Sequence, residues 1–199
     1  MDVARALSQV AEIHKHLSRT EVYRGYRSQT IGFTGGVALL GTALQPILHP
    51  LEGLDQVRFW VAVAAINLVI VGLDIAWDYH THYSKLQRKI STTAIGQFLP
   101  ALAVGAAVTF IMISRAPEYA GLLPGLWALI YSMVIFASRP FLPHGVGWVG
   151  LFYFAAGVYL LATAKLLFDS PILMGGVFGL GQLSLSAVLY WNLERNQHD

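Results

Sequence analysis

The chain has no cysteine, which excludes disulfides, thiolate metal sites, cysteine nucleophiles and palmitoyl anchors. Charge is scarce too: Asp, Glu, Lys and Arg make up 12% of its 199 residues, against 55% hydrophobic. A soluble domain carries about 25% charged residues, because a water-facing surface needs them. At half that share, much of the outer surface must face something other than water. The net charge is only +2 and no basic run is long, which argues against nucleic acid as a partner. The first 27 residues, MDVARALSQVAEIHKHLSRTEVYRGYR, lack the apolar core of a signal peptide. Insertion is therefore expected to rely on the first hydrophobic span. GxSxG, P-loop and HExxH motifs are also missing, so no nucleophile–base set or nucleotide cradle emerges.

What the chain does have is six apolar stretches, at 30–49, 57–77, 94–114, 119–138, 146–167 and 171–192. Each is close to the ~20 residues that cross ~30 Å of hydrocarbon. Turn formers separate them: His49-Pro50 with Gly53, then Pro117, Arg139-Pro140 with Pro143, and Asp169-Ser170-Pro171. Only the connection DYHTHYSKLQRKIST between spans two and three reads as a longer loop. A membrane barrel would show alternating segments of about ten residues, not continuous runs. The expected fold is all-α, a polytopic membrane bundle of about six transmembrane helices.

Ahead of the bundle, Val3, Leu7, Val10, His14 and Leu17 recur at helical spacing, while Arg5, Glu12, His16 and Arg19 point elsewhere. This predicts an N-terminal amphipathic helix that lies on the membrane surface, packs beneath the bundle or meets a protein partner. The chain divides into a cytoplasmic segment 1–27, a membrane domain 28–193 and a tail 194–199. Basic residues orient it. With the N-terminus inside, ten of the 13 Lys and Arg are cytoplasmic, and only Arg58, Arg115 and Lys165 are external. The positive-inside rule predicts an N-in, C-in protein.

Trp60, Trp77, Tyr79, Tyr83, Tyr119, Trp148, Tyr190 and Trp191 fall near span ends, where amphipathic rings favour the headgroup zone. Gly32 with Gly36, Gly121 with Gly125 and Gly175 with Gly179 would let helices approach closely, within one bundle or between protomers of a homo-oligomer. Gly145, Gly147 and Gly150 spell GxGxxG. They open a membrane span instead of following a strand, so a dinucleotide site is not expected.

The second span carries a polar stripe. Asn67, Asp74, Asp78 and His82 follow at intervals of seven, four and four residues, which sets them on one helical face if the helix continues. A carboxylate at the edge of a span is costly and marks a candidate site. Asp74 also sits toward the carboxyl end of its span, where the helix dipole disfavours negative charge. Two readings stay open. In one, Asp74 pairs with Arg24, Arg27 or Arg139, all on the same side. In the other, Asn67, Asp74 and Asp78 form a ligand, ion or proton pathway. Zinc on Asp78, His82 and a third ligand is a further option, since imidazole and carboxylate both bind it. His80 and His82 lie about 200° apart on a helix and could both reach one ion only if that stretch is extended. Haem held at the cytoplasmic edge would use His82 or His144.

The runs LLPGLWALIYSMVIFASR, GVGWVGLFYFAAGVYLL and PILMGGVFGLGQLSLSAVLYW resemble a group of small bacterial six-span membrane proteins whose function is not established. Leu123-Pro124-Gly125-Leu126-Trp127 carries most of the likeness, and EVYRGYRSQT before span one departs from it. The resemblance implies an N-terminal helix, six spans and a bacterial inner membrane, and it assigns no catalytic residue. The leading expectation is a sensor, accessory or binding module without covalent chemistry, acting at the cytoplasmic face on the bilayer or a protein partner. A transporter or ion/proton conduit is the alternative, and a metal- or haem-binding membrane enzyme comes third.

Overall fold

The computed structural model describes residues 27–48, 53–81, 85–139, 142–167 and 170–195. Six long helices account for nearly all of them: α1 Ser28–Leu48, α2 Leu54–Thr81, α3 Lys85–Arg115, α4 Leu123–Ser138, α5 Val146–Leu167 and α6 Pro171–Leu189. A 3₁₀ turn, Pro117–Leu122, leads into α4, and a widened turn, Tyr190–Glu194, continues α6. No strand occurs among the described residues. Six of these segments are long and apolar enough to cross a membrane. The expected amphipathic helix over 1–22 lies outside the described residues.

The link between spans two and three differs from expectation. Most of the supposed loop is helical, because α2 runs on to Thr81 and α3 already begins at Lys85. No proline or glycine lies in 78–81 or 85–92, so both helices can extend into this polar segment. With 28 residues, α2 is about 42 Å long at ~1.5 Å per residue, longer than the ~30 Å hydrocarbon core. Asp74 lies about 30 Å along it from Leu54, at the edge of that core, and Asp78 one turn beyond.

The helices follow one another round an arc in the order α2, α1, α6, α5, α4, α3. Two antiparallel pairs form its body, α1 with α6 and α4 with α5, and glycine sets both. A Cβ on Gly175 would overlap Thr42 Oγ1 and lie 2.9 Å from the Ala38 carbonyl oxygen. One on Gly179 would meet Leu39 at 2.6 Å. In the other pair, Cβ atoms on Gly125 and Gly157 would approach each other's carbonyl oxygens at 2.9 and 3.0 Å. Backbones this close gain van der Waals contact that lipid cannot replace. Gly36, by contrast, has open space around it, so the Gly32/Gly36 spacing works through Gly32, which rests on Ser186. The GxGxxG letters are packing positions as well: Gly145 meets Val188, Gly147 meets Arg139, and Gly150 meets Ile135 and Phe136.

One core cluster joins Ile31, Ala128, Ile135, Val146, Val149, Tyr153, Leu185 and Leu189 from α1, α4, α5 and α6. At its centre Gln182 Nε2 donates to the Tyr131 hydroxyl at 2.8 Å, and the Tyr131 ring packs tilted by 60° against Tyr153 with centroids 4.7 Å apart. A second cluster, built on Val57, Ala120 and Leu123, closes the end where α2 begins and α3 finishes. Much of the apolar surface of α2 and α3 faces outward, as a lipid-exposed helix requires.

Candidate functional site

The polar stripe of α2 is its seam with α1. The two helices run antiparallel, so each step forward along α2 meets a step back along α1. Asn67 Nδ2 donates to the Thr34 carbonyl oxygen at 3.4 Å. Two turns further, Thr30 Oγ1 donates to Asp74 Oδ2 at 2.7 Å. Arg27, just ahead of α1, lies with Nη1 3.5 Å from both Asp74 Oδ1 and Asp78 Oδ1. One guanidinium therefore faces two carboxylates, at the helix end where the dipole makes a carboxylate least welcome. Exposure of the side chains falls along the seam: Arg27 keeps 52%, Asp74 23% and Asp78 10%. Charge is thus shared between one partly hydrated cation and two progressively buried anions. Seen this way, Arg27 offsets the cost of holding Asp78 where little water reaches it.

Of the three candidate arginines, Arg27 is the one that meets Asp74. Arg139 does not: its guanidinium lies against Gly147 at the start of α5, where the missing side chain leaves room for it. Arg24 and His82 lie outside the described residues. Among those that are described, no three His, Asp or Glu side chains gather as a metal-ligand set. His144 is exposed in the turn before α5. At the same edge, Arg88 of α3 sits over the Tyr79 ring, 5.0 Å from its centroid, and ties the start of α3 to the end of α2.

The opposite end holds a feature that sequence reasoning missed. A recess of about 20 Å³ lies inside the arc, lined by Gln56, Val57 and Trp60 of α2, Gly121, Pro124 and Trp127, Leu160, Thr163 and Ala164 of α5, and Ser170, Leu173 and Met174. Trp60 was expected in an interfacial belt. Its side chain is instead only 4% exposed, with the far edge of the indole against Gly41 and Gly175. Trp77, Tyr119, Trp148, Tyr190 and Trp191 remain outward-facing. Gln56 is 3% exposed, and neither its Oε1 nor Trp60 Nε1 has a hydrogen-bond partner among the described residues. A buried polar group left unsatisfied costs about 1–3 kcal/mol. The signal available in the sequence was only Gln56 and Trp60 one helical turn apart.

Fold and seam together define a small polytopic α-helical membrane protein with an ionic contact at one end and a mostly apolar recess at the other. No family model matches the chain, and no curated protein or solved structure matches it either.

Proposed function

We propose that this protein is a small accessory or sensing module of a bacterial inner membrane, whose N-terminal segment is read out through the α1–α2 seam at the cytoplasmic face. The observation that carries this is Arg27 within 3.5 Å of both Asp74 and Asp78. Arg27 is the residue joining the amphipathic segment to the bundle, so a pull on that segment by a partner or the bilayer surface acts directly on the ion pairs. The ten-to-three distribution of basic residues supports the N-in orientation this requires. The likeness of residues 123–127 and their surroundings to small bacterial six-span proteins supports the setting.

The test attaches an environment-sensitive dye to a Val22→Cys variant, with the protein in lipid nanodiscs. Replacing Asp74 and Asp78 by Asn is expected to change the dye's emission and its response to anionic lipid. Identical signals with and without the carboxylates would end the coupling idea. A second reading, an ion or proton conduit along Asn67, Asp74 and Asp78, is favoured by one feature: Asn67 Oδ1 is buried on the same seam without a hydrogen-bond partner among the described residues. In that reading Asp74→Asn abolishes flux in proteoliposomes while the protein still folds.

A further inference from the structure

The two ends of α2 are anchored by different chemistry. Where the helix begins, Gln56, Val57 and Trp60 are buried. The Trp60 indole fits a slot between helices: Cβ atoms on Gly41 and Gly175 would meet its Cη2 at 3.6 and 2.8 Å. Val57 joins the cluster that holds Ala120, Leu123 and, from α3, Val108, Met112 and Ile113. Close packing of this kind holds helices together in a bilayer, where burial from water does not. Beyond Trp60, no residue of α2 is buried until Asp78. The main core cluster draws on α1, α4, α5 and α6, and takes nothing from α2. Along that stretch α2 meets α1 through polar contacts: a long hydrogen bond from Asn67 to the Thr34 carbonyl, one from Thr30 to Asp74, and Arg27 facing Asp74 and Asp78. We infer that α2 swings away from α1 about a pivot at Trp60, and that Arg27 is the latch that holds it closed.

Closed, the latch holds weakly, because half of the Arg27 side chain stays in water and its ion pairs are screened. Asp78 keeps only 10% of its side-chain exposure and has given up most of its hydration. Opening breaks the ion pairs and the Thr30 hydrogen bond, but it returns both carboxylates to water at the edge where α1 begins. Opposing terms of this kind let a modest bias choose the state. Tyr79 lies under the Arg88 guanidinium, so a swinging α2 keeps its tie to the start of α3. The lever is long. Asp78 lies ~27 Å along the helix from Trp60, and a tilt of about 10° carries it about 5 Å. This goes beyond the function proposed above, since the swing needs nothing on the N-terminal segment, only the unequal anchorage of α2.

The experiment measures two spin-label distances in full-length protein in nanodiscs. One runs from His80→Cys at the end of α2 to Asn192→Cys beyond α6, which lies across α1 from it. The other runs from Asp55→Cys to Ile172→Cys at the Trp60 end. All four positions are exposed. With Arg27→Gln, the first distance is expected to lengthen by about 5 Å or to gain a longer population. The second should stay as it is with Arg27 in place. Asp74→Asn combined with Asp78→Asn should act alike and leaves no buried charge unpaired, so it decides the matter if Arg27→Gln does not fold. An unchanged first distance in that double variant overturns the swing. Equal lengthening of both distances also overturns it, because α2 would then detach whole instead of pivoting. No label touches the N-terminal segment, so the swing can fail while coupling to that segment stands, and the coupling can fail while the swing stands.

Discussion

Arg27 and Asp74 set the residue-scale chemistry of the edge where α1 begins. Arg27 is half exposed, so its ion pairs are screened, and each is worth no more than about 1 kcal/mol. Removing it nevertheless leaves Asp78 buried beside Asp74 without that cation. Arg27→Ala is therefore expected to cost more stability than Asp74→Asn, which retains an acceptor for Thr30. Unfolding in mixed micelles with rising denaturing detergent would measure both, and equal losses would contradict the shared-cation picture. Asn67→Leu removes one interhelical hydrogen bond, and it also relieves an unpartnered Oδ1. A change within about 0.6 kcal/mol of wild type is expected, the average worth of such bonds in membranes. At this scale the sequence was informative about charge and misleading about Trp60. A carboxylate near a span end must find a cation, so its spacing alone directs attention to it. A tryptophan near a span end suits either the headgroup zone or a slot between helices, and only the tertiary neighbours Gly41 and Gly175 decide between them.

At the level of elements, two helix pairs depend on the absence of side chains. Gly175→Leu would drive a branched chain into Thr42 and the Ala38 carbonyl, separating α6 from α1. Gly36→Leu, made in open space on the same α1, serves as its control. The first should cost about 1–3 kcal/mol or prevent folding, as overpacking does, and the second should be nearly neutral. Losses of similar size would mean that the α1–α6 seam is not where the structure has it. Helix existence was legible because each apolar run approaches the bilayer thickness. The ends of α2 and α3 were not, since residues 78–92 are polar and read as a loop although no helix breaker lies among them. Which glycines would face a partner was equally hidden, because spacing fixes a face but does not say what lies opposite.

For the molecule as a whole, six spans return the chain to the side from which it started. The protein's lack of cysteine makes this directly measurable, since any introduced thiol is unique. His80→Cys and Glu118→Cys lie at exposed positions on opposite ends of the bundle. An impermeant maleimide added to intact cells should label the second, and should reach the first only after permeabilisation. The reverse pattern would invert the orientation and move the ionic seam to the outside. The arc also sets a problem of timing. α1 makes its most extensive contact with α6, which begins only at Pro171. At roughly 5–20 residues per second, α1 waits on the order of ten seconds for that partner. During that interval the nascent chain offers α1 its contact with α2, through Thr34–Asn67, Thr30–Asp74 and Arg27. The seam thereby acquires a second role as a holding contact in biogenesis. Its disruption should show up first as chains degraded before they are finished, and only second as weakness in those that survive.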